Sequence, residues 1–345
     1  GVVVFVAVFA QGLKSSFVDS IDRTVRADYI VQGTNFMPLP PDTSSRLQAV
    51  SGVRSAASLD IQQVQVNKKL ATVSGIDPGT FAPLWHFTWS HGGSDALLQQ
   101  LGTSKALVEE QTASSLGLKT GQRFTLTTVD GKRVTLTAAG QFKDPMLLNG
   151  IVVSSAGYNA IFPTPQLFMV FVKSDPGAAG GQQLAALKTA LKDVPTADVK
   201  TVAEYKDGIV KQVDQLLNLL YGLLAMSVII SLFGIVNTLV LAVFERTREI
   251  GLLRAIGTSR RQVRATVRYE SVITSIIGAL MGIVVGIVFA WVVTTRFAGQ
   301  GITFSIPGGQ LVVFLILAVI VGVIAAILPA RRASKIDILE AIQYE

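Results

Sequence analysis

The sequence contains no cysteine. Disulfides, thiolate metal sites and thiol nucleophiles are excluded, so any part exposed to an oxidising space is held by its core alone. Histidine is almost as scarce: His86 and His91 are the only two, in the run WHFTWSHGGSD. Their five-residue spacing departs from the i, i+4 pattern of a helical metal pair, and Ser94 and Asp95 nearby do not establish a Ser-His-Asp geometry. The chain also lacks G-x-x-x-x-G-K-[ST], the loop whose backbone and lysine cradle nucleotide phosphates. Its most glycine-rich stretch, 177–181, is followed by Gln182 and Gln183. Any ATP hydrolysis coupled to this protein must come from another chain.

Formal charge is missing from the three longest apolar runs, residues 216–243, 272–293 and 311–328. Each is long enough to cross a bilayer, which takes about 20 apolar residues. Half of the 345 residues are hydrophobic and the mean hydropathy is +0.49, too apolar for an ordinary soluble domain. A fourth stretch, 1–10, is too short to span alone and is expected to be the outer end of a helix that begins upstream. A signal peptide is the competing reading, but there is no basic region ahead of it and Gln11-Gly12-Leu13-Lys14 is a poor cleavage site.

The net charge of +7 is concentrated in one place. Residues 242–270 carry seven Arg against three Glu, whereas residues 11–215 are nearly balanced. The positive-inside rule puts 242–270 in the cytoplasm, and the flanking spans disfavour nucleic acid as its partner. The remaining topology follows: residues 11–201 lie outside as one large domain, 294–310 form a short outer loop, and 329–345 form a cytoplasmic tail.

The outer domain reads as mixed α/β. Its clearest element is RFTLTTVDGKRVTLTAAGQF, in which Phe124, Leu126, Val134 and Leu136 alternate with polar residues around the hairpin signal Asp130-Gly131. Further strands are predicted at 28–32, 58–66, 69–75, 151–154 and 167–173, and helices at 43–50, 104–116 and 182–193. Trp85, Phe87 and Trp89 alternate with polar residues, as in a strand burying its aromatics or in a lipid- or ligand-facing rim. Residues 202–215 form an amphipathic pattern running into the first long span, with Gly208 its one weak point. It is either a stiff stalk or an ordinary juxtamembrane helix.

The basic segment VFERTREIGLLRAIGTSRRQVRATVRYE predicts a helix that continues from the span to Gly257, then a turn, then a second helix capped by Thr258 or Ser259. Arg260, Arg264 and Arg268 recur every four residues with Arg261 beside them, a stripe that suits either lipid headgroups or a soluble partner. In the next span Gly278, Gly282 and Gly286 form a small-residue ridge for close helix packing. Asn237 and Thr238 are expected to bond a neighbouring helix. No charge at mid-membrane marks an ion path, which argues against a proton- or ion-driven transporter.

The stretch NTLVLAVFERTREIGLLRAIGTSRRQV, with LPARRASKIDILEAIQYE at the end, resembles the paired signature of FtsX-like permeases of the MacB-type ABC transporter family. ADYIVQG, VSGIDPGTF and TGQRFTL…DGKRVTL more loosely resemble that family's extracytoplasmic core domain. The resemblance implies an α-helical membrane domain, a four-helix unit whose first helix is truncated here, with an inserted α/β domain of the MacB periplasmic-core type. It also implies that Glu245, Arg246, Arg248, Glu249, Gly251, Arg254, Gly257, Ser259, Arg260, Arg261 and Arg264 meet a cytoplasmic ATPase. That partner, in two copies, would bind the ATP and Mg; this chain would hold no cofactor or metal and catalyse nothing. A second permease unit, homologous or identical, and an extracytoplasmic protein are further expected partners. The closing AIQYE is similar to the C-terminus of actinobacterial members in which two units are fused, so the chain is expected to be a C-terminal half. The implied setting is the bacterial cell membrane. The implied function is mechanotransmission for export or extraction of a hydrophobic substrate, lipid or lipoprotein, or alternatively activation of a cell-wall hydrolase or sensing of a ligand.

Overall fold

The computed structural model describes residues 1–144 and 146–335. Along the chain, helix α1 (Val2–Thr24) precedes β1 (Tyr29–Gly33), α2 (Thr43–Gln48), β2 (Val53–Val66), β3 (Lys69–Ile76), α3 (Pro78–Phe81), β4 (Thr88–Ser90) and α4 (Asp95–Leu98). Then come β5 (Lys105–Glu109), α5 (Glu110–Leu116), β6 (Arg123–Thr127), β7 (Arg133–Lys143), β8 (Ile151–Ser154), α6 (Ser155–Ile161), β9 (Leu167–Ser174), α7 (Gly181–Ala190) and β10 (Ala197–Thr201). The rest is helical: α8 (Val202–Glu245), α9 (Thr247–Ala255), α10 (Arg260–Phe297) and α11 (Gly308–Ala333). The chain divides into a sheet unit, Lys14–Lys211 with Phe297–Ile302, and a helical unit made of Gly1–Leu13, Gln212–Arg296 and the chain from Thr303 onward.

In the sheet unit six strands close on themselves. β2 pairs β3, β3 pairs β8, β8 pairs β5, β5 pairs β7, β7 pairs β6, and β6 returns to β2 through Gln65 and Val66. Closure follows from the side-chain pattern. β6 buries Phe124 and Leu126 while exposing Arg123 and Thr125, and β7 turns Leu136 and Ala138 inward beside them. β5 and β8 pair on both sides and lie inside, so they read as unbroken apolar runs. The β2–β3 connection is the two-residue turn Asn67-Lys68, both at positive φ, as a tight hairpin turn requires. At the other hairpin Gly131 has φ +87° and its N–H donates to Thr128 O at 3.0 Å.

β2 also extends into an antiparallel arm, β10-β1-β9-β2, backed by α2 and α7. Here the Tyr29 hydroxyl donates to Gly180 O at 2.9 Å and accepts from Gly180 N at 2.7 Å, pinning the Pro- and Gly-rich loop before α7. A third cluster unites Phe81, Trp85, Phe87, Phe142 and Phe171. The Phe81 and Trp85 rings both meet Phe171 edge-on, at 5.8 and 5.2 Å. The aromatics of the WHFTWS run are thus core, and only Thr88–Ser90 is strand.

The structure corrects the helix predicted over 104–116. Lys105–Glu109 is a strand, and the helix starts at Glu110. A short apolar run such as Ala-Leu-Val has no decisive period. Glu109 marks the switch, its carboxylate accepting from Gln111 N and Thr112 N at 2.9 and 2.8 Å and so capping α5. The other predicted elements are present, the strand 151–154 with both ends as expected and the rest with ends shifted by at most five residues.

Two carboxyls of the sheet unit are withdrawn from water, Asp144 buried and Asp60 partly buried. Burial raises Asp144 to about 6, with the charge of Glu109 adding and three backbone amides opposing. Burial alone raises Asp60 to about 6.

In the helical unit α1, α8, α10 and α11 are each long and apolar enough to cross a membrane. The first helix does not stop at residue 10 but runs on to Thr24. α10 and α11 are joined where Ser271 Oγ donates to Gly322 O at 2.8 Å. A Cβ on Gly322 would lie 2.2 Å from Ser275 Oγ. Val4, Val8 and Ala290 form a second contact, between α1 and α10.

Candidate coupling site

Two places in the structure could pass motion along the chain: the α8–α9–α10 segment of the helical unit, and the root of α1 and α8 in the sheet unit.

α8 ends at Glu245, and the helix does not continue to Gly257 as predicted. Arg246 leaves helical geometry (φ −99°, ψ 14°), and α9 then starts afresh. The turn after α9 is made by the predicted residue. Gly257 has φ +111° and donates its N–H to Arg254 O at 3.2 Å, while Thr258 N donates to Leu253 O at 3.0 Å. These paired bonds close the end of α9 as a Schellman motif. Ser259 opens α10: its hydroxyl accepts from Gln262 N at 3.3 Å, and Gln262 Oε1 accepts from Ser259 N at 2.8 Å. This reciprocal box satisfies two backbone donors at once. Helix, fixed turn and capped helix therefore follow from the local sequence between residues 253 and 262.

Beneath the turn Val263, Val267, Ala330 and Ala333 are buried, with Val243 and Ile250 against them. A cavity of about 150 Å³ lies beside this contact. Arg246 Nη1 reaches Glu270 Oε1 at 3.2 Å across it, tying the break after α8 to α10.

The expected basic stripe is divided. Arg260, Arg261 and Arg268 are exposed, but Arg264 is half-buried and donates to Ser334 Oγ at 2.9 Å. Its neighbour Val263 is core, so the helix rotation that buries the valine draws Arg264 toward the end of α11. Glu245, Arg246, Arg248 and Glu249 are exposed, Arg254 is half-buried, and Gly251 is buried. The sequence reading passed over the apolar part of this surface. Ile256 is 81% exposed at the turn, with Leu252 and Leu253 each 50% exposed beside it. The signal was present, as GLLRAIG sets Leu252, Leu253 and Ile256 around Arg254, between Arg248 and Arg260.

Of the glycine ridge, Gly286 meets α1, since a Cβ there would lie 2.6 Å from Val4 Cβ, and Gly282 lies against Gly1. Gly278 has nothing within 4 Å. Among the described residues Asn237 and Thr238 bond no other helix of this chain: Thr238 Oγ1 donates to Gly234 O of its own turn, and Asn237 is exposed.

In the sheet unit, the end of α1 and the start of α8 share one anchor. Val25 bridges Trp85, Arg26 N donates to Leu84 O, and His86 N donates to Thr24 O. Asp28 accepts from Lys173 Nζ at 2.8 Å and from Ser174 N at 2.9 Å, and its carbonyl accepts from Val202 N at 3.1 Å. Thr201 and Glu204 make a second capping box at the start of α8. Val202 and Tyr205 lie against the aromatic cluster, and Lys206 Nζ meets Asp22 Oδ1 at 2.6 Å. Gly208 does not interrupt α8, which is continuous from Val202 to Glu245.

The two histidines serve different neighbours. His86 Nδ1 lies 3.2 Å from Arg26 Nη2, and His91 Nε2 lies 3.9 Å from Glu110 Oε1. Asp95 accepts from Trp89 Nε1 at 2.8 Å.

Two family models match the chain: a MacB-like periplasmic core domain over residues 1–194 and an FtsX-like permease C-terminal domain over residues 221–338. The macrolide export ATP-binding/permease protein MacB of Burkholderia thailandensis is 28% identical over 216 residues, 61% of this chain and 32% of that relative. The ABC transporter permease protein Rv0987 of Mycobacterium tuberculosis is 22% identical over 358 aligned residues, 99% of this chain and 41% of that relative. The crystal structure of the periplasmic region of MacB from Actinobacillus actinomycetemcomitans superposes with a TM-score of 0.42 at 12% identity, covering 56% of this chain and 97% of that one. The chain spans between 19% and 41% of the length of the first curated relatives it matches. The end of the signature, residues 336–345, lies outside the described residues.

Proposed function

Because the chain belongs to the family of MacB-like, FtsX-like ABC transporter permeases, we propose that it couples a separate cytoplasmic ATPase to movement of its extracytoplasmic sheet unit. The observation that carries this reading is the exposed knob at the end of α9. Ile256, Leu252 and Leu253 stand out between Arg248, Arg260 and Arg261 on a turn fixed by one Schellman motif and one capping box. An apolar anchor ringed by arginines, held by backbone rather than by flexible side chains, suits docking into a groove of a soluble protein. A membrane interface also accepts apolar residues flanked by arginines; the feature that favours a protein groove is the turn fixed by backbone bonds at both sides.

From that knob a push travels through the Arg246–Glu270 tie into α8. At its other end, α8 is rooted with α1 on the aromatic cluster. A continuous helix between the two transmits tilt with little loss, whereas a flexible link would absorb it. No charged residue lies in the runs 216–243, 272–293 and 311–328, which favours displacement of a hydrophobic substrate, lipid or lipoprotein outside the membrane over passage of a polar solute through it. The setting proposed is the plasma membrane of a bacterium, with two ATPase copies and a second permease unit completing the complex.

The test is co-purification of the ATPase with chains carrying Ile256→Asp or Arg260→Glu with Arg261→Glu. At least tenfold less ATPase should be retained, with the chain itself still inserted and soluble in detergent. Full retention together with unaltered coupled ATP turnover would refute the docking claim.

A further inference from the structure

A shallow groove of about 670 Å³ opens in the sheet unit between the loop 91–93 and α5, with Gln141 of β7 and Leu118 buried beneath it. Its size falls within the roughly 300–1,000 Å³ of small-molecule sites. The walls are held in place by the chain itself. Thr120 Oγ1 donates to His91 O at 2.6 Å, tying the loop to the turn after α5. A Cβ on Gly93 would lie 2.3 Å from Gln141 O and 2.5 Å from Trp89 Cε3, so the loop is seated directly on β7 and the indole. His91 has φ +40°, a left-handed backbone uncommon outside glycine, and its Nε2 faces Glu110 Oε1 at 3.9 Å.

The groove is short of hydrogen-bond donors. Glu110 Oε2 is shut from water, 3.6 Å from Lys143 Nζ and without a hydrogen-bond partner among the described residues. At 3.9 Å, His91 is beyond hydrogen-bond length from Oε1. Gln141 is 7% exposed, and its Nε2 donates to Leu118 O at 3.4 Å while its Oε1 makes no hydrogen bond among the described residues. Acceptors left open in this way cost free energy until a donor meets them. Here they come from two elements, α5 and β7, and converge on one groove.

The surrounding charges select the donor. An ammonium would be drawn to Glu110 but would meet Lys143 beside it and Lys119 on the rim. An anion would suit the lysines but face the open carboxylate and amide oxygens. A neutral molecule rich in hydroxyls meets both demands: its O–H groups donate to Glu110 and Gln141, and its oxygens accept from Lys119 and the exposed Ser114 hydroxyl.

We propose that this groove binds a neutral oligosaccharide, with Glu110 and Gln141 accepting from its hydroxyls. The groove belongs wholly to the sheet unit, so the proposal stands independently of the coupling reading.

The test is isothermal titration of the full chain, in a detergent without a sugar headgroup, with maltotriose and with chitotriose. At least one should saturate a single site per chain and resist displacement by spermidine or citrate. Glu110→Leu and Gln141→Leu should each weaken binding at least tenfold. Ser114→Trp, which fills the groove from an exposed position, should do the same and keeps the test valid if either of those variants fails to fold. Glu110→Gln keeps an acceptor without the charge and should cost no more than threefold. A tenfold loss in Glu110→Gln, or displacement by spermidine, would overturn the neutral ligand. No saturable binding of either sugar, or binding unaltered by all of Glu110→Leu, Gln141→Leu and Ser114→Trp, would overturn the site. Co-sedimentation with purified peptidoglycan that chitotriose competes away identifies a wall glycan as the source; sugar binding without it identifies a soluble one.

Discussion

Replacing Asp144 by Asn should stabilise the sheet unit at neutral pH and leave it unchanged in acid. The carboxyl is 5% exposed, its Oδ1 accepts from Leu147 N at 3.1 Å, and among the described residues its Oδ2 has no hydrogen-bond partner of good geometry. Glu109, which adds negative charge, is fixed by its bonds to Gln111 N, Thr112 N and Thr112 Oγ1. Burial therefore raises Asp144 from 3.8 to about 6. For an acid raised in the folded state the sign is unfavourable above its unfolded value. Below pH 3.8 both states are protonated and nothing is lost; stability then falls as pH rises and reaches its full deficit above pH 6. The interval corresponds to about 3 kcal/mol at most, and Asn keeps the acceptor for Leu147 while removing the charge. A gain of about 2 kcal/mol would raise the melting temperature by roughly 4–8 °C for a unit of this size. The assay is thermal unfolding of the detergent-solubilised chain by tryptophan fluorescence, in a Trp291→Phe background so that Trp85 and Trp89 report the sheet unit. Equal differences between variant and parent at pH 4 and pH 7.5, or destabilisation at pH 7.5, would refute the reasoning.

Gly257→Ala forces a side chain onto a backbone at φ +111° and should cost about 1–3 kcal/mol locally, read as faster hydrogen exchange at the end of α9 and weaker ATPase retention. Ser259→Ala removes one side of the capping box and should weaken the first turn of α10 by about 1 kcal/mol, with exchange at Gln262 rising first. Gly75→Ala would put a Cβ 2.6 Å from the buried Tyr158 ring and should destabilise the sheet unit by about 1–3 kcal/mol, measured by the same fluorescence melt.

The parts legible in the sequence were those with a physical rule behind each residue. Apolar length marked three helices, and the alternation around Asp130-Gly131 marked the β6–β7 hairpin. Gly257 marked the turn, and Thr258 or Ser259 the cap, because few residues do either job well; the structure gives the cap to Ser259. Parts that depend on partners distant in sequence were hidden. Nothing local distinguishes Lys105–Glu109 from a helix start until β7 and β8 pair with it. Arg264 looked equivalent to Arg260 and Arg268 because a four-residue period cannot say which member leans toward Ser334, 70 positions away. Ser271 and Gly322 gave no signal as a pair, since a hydroxyl on a carbonyl of another helix is a property of packing. The break at Arg246 was missed for a similar reason: no proline or glycine announces it, and its link to Glu270 is tertiary.

The central claim is that nucleotide-driven force entering at α9 leaves through α8 into the sheet unit. The most direct measurement places a single spin-labelled cysteine at exposed Lys192 in each of two copies, reconstituted with the ATPase, and reads the label-to-label distance with and without ATP and Mg. The account predicts a nucleotide-dependent shift that is lost when Val213→Pro breaks α8 while ATP turnover continues. A distance indifferent to nucleotide, or a shift that survives the broken helix, would contradict it.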